Sequence, residues 1–125
     1  MKKCISIIVM VVLALSLISC GTQFDGSRTG NDSEFIMDYK VFNTTDTQEL
    51  SAEAGDIIRA KIVVEKGSLS IKIQKDNEEE PLYESNGVFM SNEFEVEIEE
   101  SGTYTVTVIG AKAKGSVSFT VESSQ

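Results

Sequence analysis

From residue 35 to residue 122 the large apolar residues recur at every second position, and most of them are β-branched. That period builds strands with one oily face, and the 3.6-residue period of an amphipathic helix is nowhere favoured. Strands are predicted at 35–43, 57–65, 68–75, 81–84, 92–99, 103–110 and 116–122. Their inward sets begin with Phe35, Met37, Tyr39 and Val41, then Ile58, Ala60, Ile62 and Val64, then Leu69, Ile71 and Ile73. Phe94, Val96 and Ile98, Tyr104, Val106 and Val108, and Val117, Phe119 and Val121 complete them. The breaks carry turn chemistry: Ala54-Gly55-Asp56, Lys66-Gly67, Asp76 to Pro81, Asn86-Gly87, Ser101-Gly102 and Gly110 to Gly115. One-sided strands cannot bury their faces alone, so two antiparallel sheets are expected to pack face to face. The expected fold is all-β, a single antiparallel β-sandwich of Greek-key, jelly-roll or immunoglobulin-like type. Charged residues at outward positions, among them Arg59, Lys61, Lys72, Glu93, Glu95 and Glu97, keep the outer faces wet and discourage edge pairing.

Two local patterns refine this reading. Glu100-Ser101-Gly102-Thr103-Tyr104-Thr105-Val106 resembles the tyrosine corner of immunoglobulin domains, with Val106 where a cysteine would stand. The plainer reading is a hairpin turn before a strand with a buried tyrosine. The heptads Gly67-Ser-Leu-Ser-Ile-Lys-Ile73 and Gly115-Ser-Val-Ser-Phe-Thr-Val121 echo one another, either as duplicated halves or as one local solution, a glycine turn followed by an alternating strand.

The first nineteen residues have a different grammar. Lys2 and Lys3 precede fourteen mostly apolar residues, Ile5 to Ile18, within the signal-peptide range and short of the ~20 needed to span a bilayer. The run ends in Leu17-Ile18-Ser19-Cys20-Gly21, which resembles the bacterial lipobox. The resemblance implies a diacylglyceryl thioether on Cys20 and cleavage between Ser19 and Cys20. Leu17 would seat in the peptidase pocket, while slim Ser19 and Gly21 admit the scissile bond. The alternative is an ordinary leader with an incidental cysteine. Each buried CH₂ contributes about 0.8 kcal/mol, so two or three fatty chains on one residue hold firmly.

With 125 residues there is room for one domain, and the expected divisions are signal peptide 1–19, lipidated N-terminus and flexible linker 20–33, and β-sandwich 34–125. Residues 21–33, GTQFDGSRTGNDS, have linker composition, with a root-mean-square span of roughly 20 Å. Losing Lys2 and Lys3 leaves 9 basic against 20 acidic residues, so the net charge of the mature chain is −11. Such a charge repels nucleic acid and anionic lipid, so attachment is expected through the acyl anchor alone. Cys4 and Cys20 are the only cysteines, which excludes a disulfide within the sandwich.

Enzymatic readings find little support. Histidine is absent, which removes the usual general base, triad partner and zinc ligand together. No Gly-x-Ser-x-Gly, phosphate loop or Cys-x-x-Cys appears. The acidic runs Glu78-Glu79-Glu80 and Glu93, Glu95, Glu97 invite a calcium test. Alternate strand residues lie about 6.6 Å apart, whereas calcium needs six to eight oxygens at about 2.3–2.6 Å, so a solvated face paired with Arg59 and Lys61 is favoured. No metal, cofactor or catalytic residue is expected. The segment from Pro81 to Met90 holds Leu82, Tyr83, Val88, Phe89 and Met90 among turn residues; it either caps the core or lines a binding rim, with Tyr83 and Phe89 as the candidate contacts.

The glycine and alternation landmarks at Ala54-Gly55-Asp56, Gly67 to Ile71, Gly102 to Gly110 and Lys114 to Phe119 resemble those of small β-sandwich domains in uncharacterised Gram-positive surface lipoproteins. The resemblance implies fold and location, and of the functional residues only Cys20. The expectation is a lipoprotein anchored to the cell membrane on its extracytoplasmic side. It would act as a non-catalytic structural or protein-interaction module with an envelope protein or cell-wall partner. The alternative is a displayed ligand-binding module for carbohydrate, peptide or metal.

Overall fold

The computed structural model describes residues 22–123, and the expected leader, Leu17, Ser19, Cys20 and Gly21 lie outside them. Seven strands form one antiparallel sheet: β1 Phe24–Gly30, β2 Glu34–Phe42, β3 Thr45–Ala52, β4 Asp56–Lys75, β5 Tyr83–Val88, β6 Asn92–Glu97 and β7 Gly102–Ser123. The two long strands, β4 and β7, pair along nearly their whole length, from Asp56 opposite Ser123 to Lys75 opposite Tyr104.

This two-stranded ribbon is folded over near its middle. The first half of β4 and second half of β7 carry β6, β2 and β1; the other halves carry β5 and β3. Side chains from the two halves meet at equal distances from the bend. Tyr83 of β5 stacks on Phe94 of β6 with ring centroids 4.3 Å apart. On the other flank, Arg28 of β1 reaches Asp46 of β3 at 2.8 Å. The result is a sandwich-like shape with shared strands, not two separate sheets. The expected turns at Lys66-Gly67 and Gly110 to Gly115 are bends inside continuous strands.

Glycine makes the bend. Gly67 and Gly115 have φ of +72° and +147°, and the register shifts on both sides of Lys66. A Cβ on Gly115 would overlap the Val63 carbonyl oxygen, and one on Gly67 would overlap that of Lys112. The two echoing heptads begin at these glycines, so their likeness follows from one local solution used on two paired strands.

Between the layers lies an apolar core in which Phe35, Met37, Ile58, Ile62, Ile71, Ile73, Val106 and Phe119 are buried, and no polar or charged residue joins it among the described residues. The alternation fixes this, since each strand turns alternate residues inward. Three details depart from the expected sets. Val41 gives way to Phe42 because the β2–β7 register shifts between Tyr39 and Phe42. Leu50 and Ala52 of the unexpected β3 are buried, as is Ala113 at the bend. Val64, Phe94 and Val121 are only partly buried.

The segment expected to be a flexible linker instead contains β1. Its backbone pairs with β2 from Phe24 opposite Phe42 to Gly30 opposite Phe35. Gly, Ser and Thr suit an edge strand whose side chains are nearly all in solvent. The segment expected at 81–84 forms a strand at 83–88, and the turn-like Asn86-Gly87 lies inside it. The tyrosine-corner contact is present: the Tyr104 hydroxyl donates to the Glu100 carbonyl four residues upstream.

Tyr39 supplies a pH-sensitive element. It is 2 % exposed, and its hydroxyl has no hydrogen-bond partner among the described residues. Burial, helped by the charge of Asp38, pushes its pKa from 10.0 up to about 12. Tyr104 is also raised, by burial and then by the charge of Glu100. An unfolded tyrosine ionises near pH 10 and folded Tyr39 does not until about 12, so stability is retained below pH 10 and lost between those values. The expected loss by pH 11 is about 1.4 kcal/mol from Tyr39 alone. Tyr39→Phe should remove that share of the alkaline loss and gain roughly 1 kcal/mol at neutral pH, because an unpartnered hydroxyl leaves the core. Urea titrations of both proteins at pH 7 and pH 11 check both numbers.

Candidate functional site

A folded-over sheet has two open flanks, and this chain treats them differently. On the β1–β3 flank, Arg28 Nε donates to Asp46 Oδ2 at 2.8 Å, and its Nη2 donates to the Thr47 carbonyl at 2.9 Å and Gln48 Oε1 at 3.2 Å. The same guanidinium lies 4.8 Å from the centre of the Phe35 ring. One side chain thus latches the layers and covers a core aromatic.

Among the described residues the β5–β6 flank has no such latch. Register places Tyr83 opposite Ile73 and Phe94 opposite Ala60, and their stacked rings, 22° from parallel, close the half of the flank away from the bend. Toward the bend the layers leave an open cleft of about 370 Å³ between Ile62, Ile71, Val88, Met90 and Phe94. This size is at the small end of the range for ligand pockets, and its lining is mainly apolar. Phe89 and Met90, in the β5–β6 connection, stand 70 % and 67 % exposed at its rim.

The expected contacts therefore divide. Tyr83 and Val88 pack against the core and cap it, while Phe89 and Met90 form a rim. Tyr83 and Phe89 line one cleft, and Ile62, Ile71 and Phe94 belong to it as well. The sequence marked those three only as inward residues; the signal for a cleft is the facing of two sheet edges, which no local pattern reports.

Among the described residues, no three of His, Cys, Asp and Glu are grouped to hold a metal ion. Glu95 pairs with Arg59 at 2.9 Å, and Glu93 lies opposite Lys61 in the β4–β6 register. Glu78, Glu79 and Glu80 are exposed in the β4–β5 connection. Charge is unevenly placed along the molecule: the segments 53–56, 76–80 and 99–100, all at the end away from the bend, carry eight carboxylates. Lys75 stands beside them, 3.9 Å from Glu100.

No protein-family model matches the chain, and no curated protein matches it. Among solved structures it is similar to PliG of Aeromonas hydrophila, a periplasmic lysozyme inhibitor of g-type lysozyme, at 15% identity and a TM-score of 0.51, covering 82% of this chain and 89% of that one. That likeness is one of fold. The cupin domain of Drosophila melanogaster CENP-C superposes less well, at 11% identity and a TM-score of 0.40 over 78% of this chain and 76% of that one.

Proposed function

We propose that this chain is a lipid-anchored lipoprotein on the extracytoplasmic side of a cell membrane, and that its sandwich is a non-catalytic protein-interaction module. In this reading residues 1–19 are the signal peptide and Cys20 carries the acyl chains. What supports it most is polarity: the described chain starts at the bend, just after Cys20, and eight carboxylates lie in segments 53–56, 76–80 and 99–100 at the opposite end. An anchored domain of that build holds its acidic end out toward the envelope, where complementary charge steers basic partners. PliG uses a similar fold in a periplasmic inhibitor, and at 15% identity that likeness transfers no residue.

Two measurements test the reading. Metabolic labelling with a fatty-acid analogue should mark the native chain and leave Cys20→Ala unmarked and released from the membrane; equal labelling sinks the anchor. Capture from envelope extracts should be strong with the native mature chain and weak after Glu78, Glu79, Glu80, Glu99 and Glu100 are changed to glutamine. Equal capture by both forms, or none by either, sinks the interaction surface. The cleft supports a second reading, a small apolar ligand bound against the Tyr83–Phe94 stack. A Phe94→Ala variant that loses such a ligand while keeping protein capture would separate the two.

A further inference from the structure

We propose, resting on the acyl anchor at Cys20, that the folded-over end of the sandwich docks on the bilayer, with Phe89 and Met90 entering the interface and Lys40, Lys66, Lys112 and Lys114 meeting anionic headgroups.

Five segments converge at this end. Lys66 lies opposite Lys114 in the β4–β7 register. The Lys112 amide donates to Asn43 Oδ1 at 2.9 Å, and the Asn43 amide donates to the Gln23 carbonyl at 2.7 Å. The β5–β6 connection joins them, since Val88 pairs with Leu69 and the Val64 amide donates to Ser91 Oγ at 3.1 Å. The start of the described chain, the bend and the exposed apolar pair thus share one pole. Cys20 is three residues before Gln23 in the sequence.

Charge selects the occupant. Segments 22–25, 40–44, 64–68, 88–92 and 109–115 hold four lysines and two acids, Asp25 and Glu65. The rest of the mature chain holds five bases and 18 acids. A local +2 therefore sits on a body of −13, and no ion pair engages any of the four lysines among the described residues. The net charge expected to repel anionic lipid is turned away from it. Exposed aromatic and methionine side chains amid unpaired lysines suit the apolar-to-polar boundary of a bilayer, where lysine stems lie along the apolar zone and their ammonium groups reach phosphate. A second copy fits poorly, since two like-charged ends would meet.

The mature sequence has no tryptophan and one cysteine, Cys20, which makes the test direct. The mature chain contains every strand, and it can be coupled through Cys20 to a maleimide lipid in vesicles of phosphatidylglycerol and phosphatidylcholine. A Phe89→Trp indole should shift to the blue and lose on the order of half its emission when the acyl chains are brominated. Met90→Trp should do the same, while Leu82→Trp, 44 % exposed and beyond the 76–80 connection, should not respond. Lys66→Glu with Lys112→Glu should abolish the response at Phe89→Trp. Docking is overturned if the Phe89→Trp and Met90→Trp indoles stay unquenched, if Leu82→Trp is quenched equally, or if the lysine changes have no effect. It is also overturned if the uncoupled protein sediments as a dimer that Phe89→Ser dissociates. Because the tether is made chemically, this result is independent of whether cells acylate Cys20, which the labelling experiment decides.

Discussion

Gly115→Ala will unfold or nearly unfold the protein. Two costs combine at this position. The residue has a φ of +147°, a region that side-chain-bearing residues rarely enter, and its added Cβ would overlap the backbone carbonyl of Val63 on the paired strand. Backbone cannot swing aside as a side chain can. Relief requires β4 and β7 to separate at the bend, which breaks ladder hydrogen bonds and misaligns the two layers that the bend brings together. Strain of about 1–3 kcal/mol plus lost pairing gives an expected destabilisation on the order of 4 kcal/mol or more. A small domain has only about 5–15 kcal/mol in total. Gly55→Ala is the control: φ is positive there too, but a Cβ would meet nothing within 4 Å, so only the backbone cost of roughly 1 kcal/mol remains. Thermal unfolding followed by circular dichroism should show a modest shift for Gly55→Ala and a large one, or no folded protein, for Gly115→Ala. Similar shifts for both would mean that the bend tolerates a side chain.

The same glycines show where sequence reasoning misjudged the architecture. Alternation placed nearly the whole core, because burial on one face of a strand forces period two whatever the topology. Phe35, Met37, Tyr39, Ile58, Ile62, Ile71, Ile73, Tyr104, Val106, Val117 and Phe119 are all inward and buried as expected. What alternation cannot report is whether a glycine ends a strand or bends it. Lys66-Gly67 and Gly110 to Gly115 carry ordinary turn chemistry, yet Lys66 faces Lys114 across an unbroken pair of strands. The difference lies in the partner: both glycines meet backbone of the other long strand, a long-range contact invisible locally.

The two missed strands are edges, and their inward positions serve a polar purpose. In β3, Asp46 and Gln48 take inward places before Leu50 and Ala52, so its oily face is only half written. Both contact Arg28. In β1 nearly every side chain is exposed, so its composition is that of a linker while its backbone is fully paired. The cleft was legible to the extent of its exposed rim, since apolar residues among turn residues stand out at Phe89 and Met90. Its floor was not, because Ile62 and Ile71 serve as core and as cleft wall at once.

A chain trimmed to begin at Glu34, the boundary that composition suggests, will lose much of its stability and aggregate. Trimming removes β1, and with it three things that hold the β1–β3 flank. The backbone of β2 loses its partner from Phe35 to Phe42 and becomes an exposed edge. Phe24 goes, leaving Tyr39 and Phe42 without a ring whose centroid is 6.4 and 6.0 Å from theirs. The Arg28 latch to Asp46, Thr47 and Gln48 goes too, which uncovers the Phe35 ring. Lost ladder bonds at about 1 kcal/mol each are partly replaced by water, but the aromatic contact and the charge-assisted bonds are not, and a net loss on the order of 4 kcal/mol follows. The new edge is a strand whose inner face is Phe35, Met37 and Tyr39, a template for pairing between copies. Urea midpoints of fragments 22–125 and 34–125 should differ by well over 1 M, since small domains lose about 1–3 kcal/mol per molar urea, and light scattering should rise with concentration for the shorter fragment alone. Equal midpoints would return residues 24–30 to the role of a tether. The domain would then stand on a flexible arm longer than the two residues between Cys20 and Gln23.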